Sequence, residues 1–281
     1  MPKVSVIIAC FNHGQYIEEA VNSVLAQTFT DWEIIIVNDG STDKFTNDFL
    51  KQYQPPKTTV YFTKNNGVSA ARNFGIGKSK AIYILPLDAD DFIAPNYLKE
   101  AIEKFETFPH LKLVYGVGAY VGDLAGKIIL PPFSIKEMLK QNLIFCTALY
   151  KKADWEQAEK YDECFKTGWE DWDFWLRLIE DEEQVCKIPS IIFYYRIKKD
   201  SRNALLNGER LRIVESQLYK KHLDKYLTHF PLPITNLRSI TYLQQEKENF
   251  EKVKGQIYHS LSYKIGHFLL TPLKLLRKIG R

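Results

Sequence analysis

Cysteine is scarce in this 281-residue chain: Cys10, Cys146, Cys164 and Cys186 are its only four, and they lie far apart. That spacing makes neither a CxxC metal pair nor the dense disulfide framework of a small secreted domain, and it suits reduced thiols in a cytosolic protein. Long apolar runs are missing as well. The opening run Val4-Ser5-Val6-Ile7-Ile8-Ala9-Cys10 is too short for a signal peptide or a membrane span, and no later stretch reads as a transmembrane helix. There is no internal repeat and no low-complexity segment. No GxGxxG follows the first apolar run, which argues against a dinucleotide-dependent oxidoreductase. Acid is absent after Glu251 while seven basic residues follow it, so the +4 of the whole chain becomes −3 over the first 251 residues. An acidic body with a basic tail argues against a broad nucleic-acid surface and gives the tail a local task.

What is present is ordinary globular material, 45% hydrophobic and 26% charged, enough for one large domain or a domain with an appendage. In the first hundred residues, short β-branched runs predict strands at 4–10, 33–37, 59–62 and 81–87, and apolar residues at helical spacing predict helices at 15–27, 68–78 and 96–107. That alternation implies parallel βαβ units with right-handed crossovers, and ligands of such sheets collect beyond the carboxyl ends of the strands. Farther on, runs at 111–121 and 127–130 flank a turn with Gly122 and Gly126, predicting a mixed or antiparallel extension. Two more strands are predicted at 147–150 and 191–197, with a helix at 171–180 between them. From about Glu209 the chain reads as helical and charged, broken near Pro231 and Pro233.

Four polar clusters stand at the ends of predicted strands or the starts of predicted helices. In Leu87-Asp88-Ala89-Asp90-Asp91 three carboxylates fall in four residues, and charges held near 4 Å repel by about 4 kcal/mol at an effective dielectric of 20. Such a cluster invites a hard cation such as Mg²⁺ or Mn²⁺, or else is a solvated loop capping the next helix. Asp39, in Asn38-Asp39-Gly40-Ser41-Thr42-Asp43, also follows an apolar strand, although this stretch reads equally as a turn and a helix N-cap. Arg72, in a helix of small residues after Asn66 and Gly67, is placed to reach a phosphate or one of these carboxylates. In Gly168-Trp169-Glu170-Asp171-Trp172 a pair of acids sits among aromatic rings. Trp172, Trp175, Leu176 and Ile179 share one helical face and are expected in the core. A carboxylate desolvated beside indoles gains proton affinity, as a general base requires.

These elements, in this order, resemble the family-2 glycosyltransferases over roughly residues 3 to 200. The match comprises Val-Ser-Val-Ile-Ile-Ala-Cys-Phe-Asn, Asn-Asp-Gly-Ser-Thr-Asp, Asn-Gly-Val-Ser-Ala-Ala-Arg-Asn, Asp-Ala-Asp-Asp and Trp-Glu-Asp. The resemblance implies an α/β GT-A nucleotide-sugar-binding fold, a Rossmann-like mixed sheet flanked by helices, over residues 1–208. Its nucleotide-binding half would span about 1–95 and its acceptor half 96–208, followed by a helical extension over 209–281. It further implies that Ala9, Phe11 and Asp39 line a nucleobase pocket, Asp39 accepting from a uracil-like ring, with Asn12, Asn66 and Gly67 beside them. Arg72 would brace the nucleotide site, Asp88 and Asp90 would hold ribose and Mn²⁺ or Mg²⁺, and Trp169 would bind acceptor. Asp171, or failing it Glu170, would deprotonate the acceptor hydroxyl in an inverting displacement from a nucleotide-sugar donor, UDP-linked by preference.

One departure stands out. Many relatives carry Tyr-Arg-x-His-x-x-Ser, in which the His can approach metal or diphosphate, whereas this chain reads Tyr195-Arg196-Ile197-Lys198-Lys199-Asp200-Ser201. Lys198 cannot ligate metal as a neutral imidazole would, but its ammonium is expected to contact the donor's diphosphate directly, which loosens the expected metal requirement. The Gln-x-x-Arg-Trp signature and membrane spans of processive synthases are missing, which favours transfer of one or a few sugars. In the tail, Leu261, Ile265, Phe268, Leu269, Leu273, Leu276 and Ile279 recur at helical spacing, with Lys264, Lys274, Arg277 and Lys278 among the polar positions. This is the pattern of an interfacial helix, and it predicts peripheral contact with the inner face of the cytoplasmic membrane, where a glycan or lipid-linked glycan acceptor would be met. The alternatives are a nucleotidyltransferase of related fold and a catalytically silent nucleotide-sugar or lipid-binding module.

Overall fold

The computed structural model describes residues 1–166, 168–198, 207–230 and 233–260. Strand and helix alternate from the start: β1 (Val4–Cys10), α1 (Gly14–Leu25), β2 (Trp32–Asp39), α2 (Lys44–Gln52), β3 (Thr58–Thr63), α3 (Val68–Lys78) and β4 (Tyr83–Asp88). Then follow β5 (Phe92–Ile93), α4 (Tyr97–Thr107), β6 (Leu113–Gly122), β7 (Gly126–Lys127), α5 (Ile135–Met138), β8 (Leu149–Lys151), α6 (Lys152–Gln157) and α7 (Glu170–Leu178). The chain continues through a 3-10 turn at Glu182–Gln184, β9 (Val185–Ile197) and α8 (Gly208–Lys221) to α9 (Leu223–His229) and α10 (Pro233–His259).

One sheet runs in the order β3-β2-β1-β4-β8-β6-β9-β5, with β7 paired to β6. Strands β1 to β4 are parallel to one another, β8 runs against both β4 and β6, and β5 runs against β9. The inner strands are buried on both faces and therefore read as continuous apolar runs: Val6, Ile8, Ile34, Ile36 and Leu85 have no exposed surface. Each such side chain contributes about 1.5–3 kcal/mol of burial. The register matters for function. Ala9 lies opposite both Val37 and Asp88, and Cys10 opposite Asn38, so Ala9, Asp39 and Asp88 come to one edge of the sheet, where β1 stands between strands reached by crossovers in opposite directions.

Two glycines carry local requirements. Gly40 turns the chain at φ +63° immediately after β2, and a β-carbon there would lie 2.4 Å from the Asn65 backbone nitrogen. Gly75 lets α3 lie directly on β1 and β2, since a β-carbon would come within 2.7 Å of Ile7.

The predicted strands and helices of the first hundred residues are all present, β1 and α3 with the predicted bounds. The turn reading of Asp43 is also correct: its carboxylate caps α2 by accepting from the Thr46 N–H at 2.8 Å. The second half differs more. The run 127–130 forms only the two-residue β7, and the strand predicted at 147–150 is displaced to β8. Strand β9 starts six residues before the predicted 191 because Pro189 and Ser190 are taken up by a bulge: Gly116 pairs Ile188 and the next residue, Val117, pairs Ile191.

Residues Met1–Leu223 form one compact unit, and α8 belongs to it through buried Val214 and Leu218. At the end of α8, His222 Nε2 lies 2.9 Å and Lys221 Nζ 3.1 Å from the fully buried Asp173, which also pairs with Arg177 at 2.8 Å. Burial alone would raise the Asp173 pKa, but the bonds from His222, Arg177 and Lys221 outweigh it and hold the carboxyl below its usual range. The second unit, Asp224–Arg281, contains α10. Among the described residues no helix is long and apolar enough to cross a membrane. The predicted interfacial positions Lys264, Phe268, Leu269, Lys274, Arg277 and Lys278 lie outside the described residues.

Candidate active site

A cavity of about 780 Å³ opens at the carboxyl ends of β1, β2 and β4 and extends to the start of α7. On the strand side Ala9, Phe11, Asp39 and Gly67 line it, as the register of β1, β2 and β4 leads one to expect. The Asp39 carboxylate is engaged from within: Oδ1 accepts the Asn66 N–H at 3.0 Å and Oδ2 the Gly67 N–H at 2.9 Å. It therefore ties the loop before α3 to the end of β2. Two residues expected in the pocket are not on its wall. Asn12 takes φ 56° and spends its side chain on the neighbouring turn, Oδ1 accepting from the Thr42 and Asp43 N–H groups at 2.8 and 3.1 Å. Asn66 meets the site only through its backbone N–H on Asp39.

Arg72, expected to brace the nucleotide site, lies almost out of reach of solvent. At 1% exposure it joins Asp88 Oδ1 and Glu170 Oε1, each at 2.7 Å, tying the end of β4 to the first turn of α7. A guanidinium suits this task because its rigid fork serves two carboxylates at once. Glu170, the second choice for a base, is thereby committed: it is buried, and its charge is matched by Arg72.

Asp171 stands differently. It is partly exposed on the cavity wall, where Oδ1 accepts the Trp172 N–H at 2.8 Å and Oδ2 accepts from Asn142 Nδ2 at 3.1 Å. Burial raises its pKa, the Glu170 charge raises it further, and Arg72 opposes them; the result is about 7. The helix that carries it is fixed by indoles. Trp172 Nε1 donates to the Met138 carbonyl at 2.7 Å and Trp175 Nε1 to the Ile144 carbonyl at 3.1 Å, so the loop bearing Asn142 is pinned beside the acid it orients. Trp169, the residue before α7, takes the left-handed conformation at φ 66° and ψ 14°, which costs an L-residue about 1–2 kcal/mol, and its ring lies 4.8 Å from that of Trp172 on the cavity wall.

The acids of the Asp-Ala-Asp-Asp stretch are individually occupied. Asp88 holds Arg72, and Asp90 Oδ2 lies 2.5 Å from Lys198 Nζ. Asp91 is 2% exposed, Oδ1 accepts the Arg196 N–H at 2.8 Å, and Oδ2 has no hydrogen-bond partner. Burial, reinforced by the Asp88 and Asp90 charges, pushes its pKa well above the usual carboxylate range, against the Arg196 N–H and Lys198, which lower it. The two carboxylates expected to hold a divalent ion are each paired with a cation of the chain itself. A guanidinium and an ammonium occupy the two carboxylates, and among the described residues no group of three or more His, Cys, Asp or Glu side chains is arranged to hold a metal. Sequence reasoning missed Asn142 and His13, whose Nδ1 is 3.7 Å from Asp90 Oδ1. Both are single polar residues in loops, without periodicity or motif to mark them.

The molecule is similar in fold to Staphylococcus aureus TarS. Two solved structures of its residues 1–349, in complex with UDP and with UDP-GlcNAc, superpose with TM-scores of 0.56 and 0.58 at 20% and 19% identity, covering 80% of this chain and 72% and 73% of theirs. The sheet and helices are those of the GT-A glycosyltransferase fold, the class of enzyme that transfers sugar from a nucleotide-sugar. The family model Glycosyl transferase family 2 matches residues 5–152, and the chain belongs to that family. An uncharacterized glycosyltransferase of Methanocaldococcus jannaschii is 28% identical over 82% of this chain and 80% of its own length. The chondroitin synthases of Escherichia coli and Pasteurella multocida are each 25% identical over 92% and 99% of this chain, which spans only 37% and 28% of their lengths.

Proposed function

We propose that this chain is an inverting glycosyltransferase that moves one sugar from a UDP-sugar donor to a hydroxyl of a surface-glycan or lipid-linked acceptor, with Asp171 as general base. The observation that carries the reading is Asp171 itself: a carboxylate on the cavity wall, oriented by Asn142, with its pKa raised to about 7. A base poised near the working pH combines availability with driving force for proton transfer. The acceptor O–H gives its proton to Asp171 as its oxygen bonds to the anomeric carbon. The bond from that carbon to the diphosphate breaks, and the electron pair departs with the diphosphate. On the donor side Ala9, Phe11 and Asp39 would seat the base and Gly67 the loop against it, while Trp169 offers a ring face to an acceptor sugar. The complexes of TarS with UDP and UDP-GlcNAc support a uridine donor. The basic tail would hold the enzyme at the inner membrane face, near a lipid-linked acceptor.

The test is Asp171→Asn. Transfer should fall by about 10²–10⁴-fold with UDP binding retained. Retained transfer would overturn the assignment of the base, and a failure of the unaltered protein to bind UDP, dTDP or GDP would overturn the transferase reading.

A further inference from the structure

Three groups hold Lys198 in place. Its ammonium lies 2.5 Å from Asp90 Oδ2, 3.1 Å from His13 Nε2 and 4.8 Å from the centre of the Tyr16 ring. An ammonium has only donors, so His13 Nε2 accepts, and the ring proton belongs on Nδ1, which faces Asp90 Oδ1 at 3.7 Å. The three make a closed arrangement in which carboxylate, imidazole and aromatic face all favour a cation at one point. Lys198 keeps 22% of its side chain exposed and lines the cavity, so the same charge is presented to a ligand. The other cations at the strand ends are committed elsewhere. Arg72 is buried between two acids, while Arg196 donates to the Asp90 carbonyl at 2.9 Å and pairs with Glu19.

We propose that Lys198, seated on Asp90 and His13, supplies the positive charge for the donor's diphosphate, so that donor binding and transfer proceed without a divalent ion. The inference rests on the transferase reading and deepens it. A divalent ion bound to Asp90 would have to displace the ammonium or share its carboxylate at contact distance, where like charges repel. As the bond from the sugar to the diphosphate breaks, negative charge accumulates on the departing oxygens. The ammonium lines the cavity in which those oxygens would sit and can donate to them while it stays beside Asp90.

The experiment is calorimetric titration of the full chain with UDP, in EDTA and again in Mn²⁺, on the unaltered protein and on Lys198→Ala, Lys198→Arg and Lys198→His. UDP affinity of the unaltered protein should agree within about twofold between the two conditions, and Lys198→Ala should weaken binding in EDTA by about ten- to a hundredfold, the worth of one charged hydrogen bond. Lys198→Arg should keep metal-free binding. Lys198→His, which places a second imidazole beside Asp90 and His13, should make binding Mn²⁺-dependent, with Mn²⁺ uptake visible by electron paramagnetic resonance before nucleotide is added. UDP binding by the unaltered protein only with Mn²⁺ would overturn the proposal and leave the transferase reading standing. Absence of binding to UDP, dTDP and GDP in both conditions would overturn the two together.

Discussion

Two cations meet the acids of this cavity, Arg72 between Asp88 and Glu170, and Lys198 on Asp90, and they do opposite things. Arg72 is 1% exposed, and its charge is consumed inside the protein by one acid from the strand side and one from α7. Lys198 remains in touch with solvent on the cavity wall. Chemically similar pairs can therefore serve as a rivet or as a ligand site, and burial decides which. A buried pair is worth little more than well-packed apolar groups, yet losing one partner strands a charge, whereas a part-exposed pair can exchange its partner for a substrate.

The sharpest way to break this contrast is Arg72→Ala. It strands Asp88 and Glu170, and should cost about 3–5 kcal/mol of stability in denaturant titration, with activity lost along with the fold. Next in size is the pH response of the base. Below about pH 7 Asp171 is protonated and cannot accept a proton, so kcat/KM should climb as pH rises through that value and then level, while Asp171→Asn should show no such limb. Because the Asp171 pKa is raised in the folded protein, its ionisation opposes folding, and the opposition grows as pH rises from the usual carboxylate range to about 7. Asp171→Asn should therefore unfold at higher temperature than the parent at pH 8, though not at pH 4.

Asn142→Ala ranks third. Its amide bond to Oδ2 favours the ionised form of Asp171, so removing it should move the rising limb of the pH profile upward and lower kcat by about tenfold. A profile that stays in place would mean that Asn142 serves the loop alone. The smallest effect on the fold belongs to Lys198→Ala, whose part-exposed pair should shift stability by no more than about 1 kcal/mol, in contrast with Arg72→Ala. A Lys198 variant as unstable as the Arg72 variant would erase the distinction between the two sites.

The first half of the fold could be read in the sequence because its information is local. A central parallel strand is an apolar run, and a polar residue directly after it marks the sheet edge where ligands gather, as at Asp39 and Asp88. The expectation that Arg72 would reach a carboxylate was also sound, although one of its two partners, Glu170, lies 98 residues farther on. What escaped reading depends on tertiary placement. The start of β9 was hidden by Pro189, a residue that argues against a strand unless a bulge absorbs it. Asn12 was assigned to the pocket by its neighbours in the motif, yet its side chain closes the adjacent turn. Asn142 and His13 gained meaning only once the chain had folded around them. The acid cluster invited a cation, as charge repulsion requires, but the sequence alone could not say that the cations would come from the chain itself.

The clamp on Asp173 has a consequence for how the enzyme comes into being. The helix that carries Asp171 is completed by Lys221 and His222, residues that leave the ribosome well after α7 itself. A nascent chain that has made every motif of the family still holds Asp173 with only Arg177 to answer its charge. A fragment cut at the end of β9 would carry the recognisable residues yet lack two of the three side chains that hold the buried Asp173, and should unfold at lower denaturant than the full chain.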